Sequence, residues 1–114
     1  MSLTTEIKVK DSAIVCYIEG RIIYETESIL KAAFDEILSG ITKPLIIINC
    51  QGLSYINSSG IGLLVRILKD VRGSGRSLCL CNLQPSINDV FRVTNLNQVF
   101  RIFPTEEEAI NSQI

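Results

Sequence analysis

A chain of 114 residues holds one hydrophobic core and is too short for two independently folded halves, so a single domain over residues 1–114 is expected. With 46% hydrophobic and 20% charged residues it reads as globular, and eleven basic against twelve acidic residues, a net charge of -1, argue against nucleic acid as a direct partner. The chain contains no histidine, which removes the Ser-His and Cys-His nucleophile pairs and the usual nitrogen ligand of zinc.

In chain order, Ile7 to Lys10 and Ala13 to Glu19 are β-type runs parted by Asp11 and Ser12, a break suited to a hairpin. After Gly20, Thr26 is placed to cap a helix, with Glu27 in its first turn. Ile29, Ala33, Phe34, Ile37 and Leu38 follow at helical spacing until Gly40. Leu45 to Cys50 is a continuous apolar run, the pattern of a strand covered on both faces. From Ser58 to about Val71 the spacing of Ile61, Leu64, Val65 and Leu68 predicts a second helix, ended by Gly73-Ser74-Gly75.

Leu78 to Leu83 predicts another buried strand, and Pro85-Ser86 a third helix with Ser86 and Asp89 as a capping box and Ile87, Val90, Phe91 and Thr94 on one face. Val99 to Phe103 predicts a last strand, and Thr105 with Glu108 caps a last helix whose first-turn acids suit the helix dipole. The order β-β-α-β-α-β-α-β-α implies an α/β fold: a mixed, partly parallel sheet of about five strands with about four helices packed on it.

Cys16, Cys50, Cys79 and Cys81 all fall in strand-like runs, and buried reduced thiols are expected, with no metal and no cofactor. No apolar run approaches the roughly 18 residues that cross a bilayer. The first ten residues lack the apolar block of a signal peptide, so a cytoplasmic protein without membrane insertion is expected.

The sharpest local feature is the stretch from Ser54 to Leu64, where polar Asn57, Ser58 and Ser59 meet a helix start and Gly60 and Gly62 strip side chains from its first turn. Asn57 or Ser58 suits the N-cap. Unpaired N–H groups and the positive dipole end there favour a phosphate, and one carried on Ser58 would add about -1.5 to -2 charge.

Over nearly its whole length the chain resembles the STAS domains, and among them the stand-alone bacterial anti-sigma-factor antagonists. The residues that carry the resemblance are Leu45-Ile46-Ile47-Ile48-Asn49-Cys50, Leu53-Ser54-Tyr55-Ile56-Asn57-Ser58-Ser59-Gly60-Ile61-Gly62-Leu63-Leu64, and the turn and strand from Gly73 to Leu83. The resemblance implies a binding module, not an enzyme, whose partner is an anti-sigma factor with serine kinase activity. It implies Ser58 as phosphoacceptor, with Ser59 second, release of the partner on phosphorylation, resetting by a phosphatase, and control of sigma-factor-dependent transcription.

Asn57, Ser59, Gly60, Ile61, Ile23 and Tyr24 are then the partner-binding candidates. Where the family usually has Asp, this chain has Asn49 and Asn57, and Arg21-Ile22-Ile23-Tyr24 follows Gly20 where an acid is common. These three positions are expected near the phosphorylation site. The other STAS readings are a subunit docking on a lipid-transport ATPase and a signalling scaffold, both without a phosphorylation cycle.

Three further patterns read as plain structure. Gly73-Ser74-Gly75-Arg76 runs from helix to strand, the reverse of a phosphate-binding loop. Ser58-x-Gly60 has Ile56 where a nucleophile elbow needs glycine. Glu106, Glu107 and Glu108 read as solvated dipole partners. Tyr24, Phe100 and Phe103 suit either core or partner contacts, core being commoner.

Overall fold

The computed structural model describes residues 2–40 and 42–112. Five strands, β1 (Leu3–Lys10), β2 (Ala13–Ile22), β3 (Leu45–Ile56), β4 (Ser77–Cys81) and β5 (Arg101–Phe103), form one sheet in chain order. β1 and β2 are an antiparallel hairpin, and β2 to β5 run parallel. The helices are α1 (Glu27–Gly40), α2 (Ser58–Gly73), α3 (Pro85–Val93) and α4 (Glu106–Asn111). This is the mixed α/β sheet expected from the element order.

Because β2, β3, β4 and β5 step across the sheet in one direction, right-handed crossovers put α1, α2 and α3 on the same face. That face holds the larger core. Leu30, Phe34 and Ile37 of α1, Leu64 and Leu68 of α2, and Ile87 and Phe91 of α3 pack on Ile14, Cys16, Ile46, Ile48 and Leu80 of the strands. Phe91 and Phe100 meet edge to face with ring centroids 5.7 Å apart. Among the described residues the opposite face is covered by α4 alone, whose Ala109 lies against Ala13, Val15, Leu45, Ile47, Cys79 and Cys81. Leu45 to Cys50 are buried on both sides, which is why that run alternates nothing in sequence.

All four cysteines are free and buried, with Cys79 and Cys81 on the α4 face. Burial pushes the Cys16 and Cys81 thiols up to about 12 and Cys79 up to about 11, so they stay protonated at neutral pH.

Several boundaries differ from those read in the sequence. β1 begins at Leu3, not Ile7, and β3 continues past Cys50 to Ile56. Beyond Cys50 the described residues cover the α1–α3 face of β3 alone, and the register with β2 shifts, so buried Leu53 and Ile56 stand among exposed Gln51, Ser54 and Tyr55 without strict alternation and the unbroken apolar signal stops. Ile29 does not share the buried face of α1; Leu30 does. The capping box of Ser86 and Asp89 does not form, because Pro85 takes the first helical position and Gln84 becomes the N-cap, which draws Ser86 inside the helix. Leu96–Gln98 is a turn of 3-10 helix that delays β5 to Arg101.

Candidate functional site

β3 ends at Ile56 and α2 begins at Ser58, so a single residue, Asn57, makes the link. Its backbone is extended, and its Oδ1 accepts from the Gly60 N–H at 2.9 Å, while its carbonyl accepts from the Ile61 N–H at 2.9 Å. Asn57 is therefore the N-cap, and the Ser58 hydroxyl is not needed for that task. Ser58 occupies the first helical position and is exposed. By helix geometry the N–H groups of Ser58 and Ser59 have no carbonyl one turn back, and the first turn of α2 contains no acid.

The first turn of α2 lies on the end of β2. Asn57 N–H donates to the Ile22 carbonyl at 3.3 Å, and a Cβ added to Gly60 would sit 2.6 Å from that same oxygen. Only glycine permits this approach. Ser59 turns inward and donates its hydroxyl to the Glu27 carboxylate, tying the start of α2 to the start of α1. Thr26 is buried and does not cap α1: its hydroxyl accepts from Ile23 N–H at 3.0 Å and donates to the Arg21 carbonyl at 2.7 Å, closing the turn that follows β2. That turn lifts Tyr24 into solvent at 75% exposure, contrary to the commoner core placement, whereas Phe100 is buried and Phe103 half-buried.

The structure thus brings Asn57, Ser58, Ser59 and Gly60 together with the segment from Ile22 to Thr26 at one end of the sheet. Between Tyr24, Glu27 and Lys31 on one side and Leu63 and Arg66 on the other runs a shallow groove. Ile23, 6% exposed, and Gly60 are buried, so they shape this surface from beneath, and Ile61 is half-buried at its margin. Arg21 lies 4.6 Å from the centre of the exposed Tyr55 ring, a cation–π contact beside the same strand ends.

Asn49 is not part of this site. Its bond to Glu106 puts it on the α4 face of β3, seven residues before Ile56 and so about 23 Å from the strand's end. At 7% exposure its Nδ2 donates to Glu106 at 3.0 Å, its Oδ1 accepts from Gln51 N–H, and Lys10 Nζ reaches the other Glu106 oxygen at 2.7 Å. Burial raises the Glu106 pKa, but hydrogen bonds from Lys10, Tyr17 and Asn49 outweigh it and leave the carboxyl below its ordinary value. The expectation of a solvated Glu106 is corrected by this cluster, which joins residues too distant in sequence for any local pattern to reveal.

A profile of the STAS domain matches residues 4–109. The chain belongs to the STAS domain family. It is 20% identical over 112 residues to the anti-sigma F factor antagonist of Paenibacillus polymyxa, covering 98% of this chain and 93% of that protein. The crystal structure of an anti-sigma factor antagonist from Mycobacterium paratuberculosis superposes with a TM-score of 0.87 at 21% identity, over 97% of this chain and 93% of that one. SpoIIAA, an anti-sigma factor antagonist solved in its unphosphorylated form, superposes with a TM-score of 0.77 at 23% identity, over 96% and 95%. Its phosphorylated form, from Bacillus, gives 0.70 at 24%, over 96% and 98%. These likenesses show that the STAS fold is shared throughout. No helix among the described residues is long and apolar enough to cross a membrane.

Proposed function

We propose that this STAS chain is an anti-sigma-factor antagonist that works by partner switching. Through the start of α2 and the turn carrying Tyr24 it docks on an anti-sigma factor with serine kinase activity, freeing a sigma factor. The partner transfers a phosphoryl group from ATP to Ser58, the modified domain is released, and a phosphatase restores it. The chain itself catalyses nothing and binds neither nucleic acid nor the membrane interior.

The observation that carries this reading is the division of labour at the start of α2: Asn57 caps the helix, so the exposed Ser58 hydroxyl accepts a phosphate without loss of the cap. The dipole end and the N–H groups of the first turn stabilise the added charge inside the domain. In an interface the same dianion faces desolvation and repulsion from any nearby acid, so docking weakens without refolding. The names of the relatives support the partner class, and the existence of SpoIIAA in a phosphorylated form supports the chemistry.

Affinity capture from the native lysate in the presence of ADP, with wild type, Ser58→Ala and Ser58→Asp as baits, tests it. A small ATP-binding kinase is expected on wild type and Ser58→Ala, held at least about tenfold more weakly by Ser58→Asp. With ATP, wild type gains a phosphate and Ser58→Ala does not. A transport ATPase retained equally by all three baits would overturn the reading and leave Ser58 as an ordinary first-turn residue.

A further inference from the structure

The two edges of the sheet are built differently. β5 closes one edge with three residues and is followed by Pro104, so few backbone groups face outward there. β1 closes the other with eight residues, paired to β2 through consecutive partners with no register shift and containing neither proline nor glycine. Such a long, regular edge is a template for another strand.

The direction of its backbone groups follows from one bond. Arg21 N–H donates to the Ser2 carbonyl at 3.1 Å, in register with the Leu3 and Gly20 pair. Backbone groups alternate sides along a strand, so those of Thr4, Glu6, Lys8 and Lys10 face β2 and those of Thr5, Ile7 and Val9 face the open edge. No strand among the described residues pairs with that side. On the helix face Val9 is 52% exposed and Ile29 of α1 is 39% exposed, and Thr5, Ile7, Ile29 and Ala32, with Ser28 and Glu36, border a groove between β1 and α1. On the other face Glu6 and Lys8 are exposed and 3.8 Å apart.

We propose that β1 is a self-association edge, on which a second copy of this chain adds its own β1 antiparallel, with Ile7 opposite Ile7, joining two five-stranded sheets into one. The occupant is chosen by charge. This register sets Glu6 of each copy opposite Lys8 of the other, at positions without a backbone bond, where cross-strand side chains come closest. Centring the pair on Glu6 or Lys8 instead opposes like charges directly, centring on Val9 sets Lys8 against Lys10, and centring on Thr5 leaves both charges without an opposite partner.

With Ile7 at the centre, the outward N–H and C=O groups of Thr5, Ile7 and Val9 complete a ladder with Val9, Ile7 and Thr5 of the second copy. The contact is isologous, closes at two copies, and brings Ile29 and Val9 of both copies together over the groove. The two-fold axis reverses strand direction, so the two α2 starts lie at opposite ends and stay open. The proposal therefore does not rest on the role of Ser58.

Sedimentation velocity of the full chain across a dilution series tests it, with Glu6→Lys, Lys8→Glu, the double exchange, and Val9→Pro, and with circular dichroism to confirm folding. Wild type is expected to show a concentration-dependent dimer, and each single charge reversal to raise its dissociation constant by about tenfold. The double exchange restores it. An equimolar mixture of the two single variants forms a heterodimer, because Lys then faces Glu at both pairs. Val9→Pro removes an outward N–H, leaves the β1–β2 bonds intact and abolishes association. A wild type that stays monomeric at every concentration, or a dimer indifferent to all four variants, would overturn the assignment.

Discussion

The starts of α2 and α4 are both capped by a side-chain oxygen, Asn57 on Gly60 N–H and Thr105 on Glu108 N–H, yet they are electrostatic opposites. α4 carries Glu106, Glu107 and Glu108 in its first turn, and Glu106 is further tied to Lys10 and Asn49. α2 carries no acid there, only Ser58, Ser59 and Gly60. A helix end that supplies its own anions has its dipole compensated from within; α2 supplies none, and the carboxylate held at its start, that of Glu27, comes from α1 through the Ser59 hydroxyl. The contrast separates a helix start that carries its own anions from the one proposed for modification, and it can be broken from either side.

The largest effect is expected where α2 touches the sheet. Gly60→Ala drives a methyl to 2.6 Å from the Ile22 carbonyl and 2.7 Å from the Ile22 side chain, neither of which is a flexible terminus. A loss of about 2–3 kcal/mol in urea unfolding is expected. Gly62→Ala, two residues on, meets nothing within 4 Å and should stabilise by about 0.5–1 kcal/mol through helix propensity. Equal effects at the two glycines would mean that α2 does not rest on β2 as described.

The α4 side yields next. Glu106→Gln removes the charge shared by Lys10 and Asn49, and a loss of about 1 kcal/mol at neutral pH is expected, tempered by the partial exposure of Lys10. The sign of its pH dependence follows from the shift. The folded carboxyl lies below its ordinary 4.5, so its contribution is full above that value and disappears as pH falls through the lower folded value. Lys10 is shifted upward by its hydrogen bond to Glu106, so its contribution holds below its ordinary 10.5 and fades above it. Unfolding free energies from pH 3 to pH 7 should therefore converge for wild type and Glu106→Gln at the acid end and separate toward neutrality.

These two helix starts were not equally legible in the sequence. Asn57-Ser58-Ser59-Gly60 is contiguous, and its position after the Leu45 to Cys50 run placed it between strand and helix from local chemistry alone. The α4 cap was legible for the same reason, since Thr105 and Glu108 are three residues apart. What escaped was everything carried by distance in sequence: Lys10 and Glu106 are separated by 96 residues and Asn49 and Glu106 by 57. Period-two alternation cannot say which face of β3 looks toward α2, so the sequence pattern groups Asn49 with Ser58 although it lies on the α4 face. Ser86 and Asp89 show the converse error, a correct local spacing overruled by the fixed φ of Pro85.

The smallest effect probes the departure at Asn57 itself. Asn57→Ala should cost about 1 kcal/mol by removing the oxygen that Gly60 N–H uses. Asn57→Asp keeps that oxygen and adds a negative charge at the positive end of α2, a gain of about 0.3–1 kcal/mol at low salt. The Glu27 carboxylate held by Ser59 already takes part of that field, and a further anion at the adjacent position competes for the rest and repels the first. In a double-mutant cycle, Asn57→Asp should stabilise the wild-type background and lose a few tenths of a kcal/mol of that benefit in the Ser58→Asp background. Additive effects would mean that the Ser58 side chain points away from the dipole, and the helix end would then give a phosphate no support. A coupling of the expected sign makes asparagine the better neighbour for a phosphorylated Ser58, because it caps the helix without adding charge of its own.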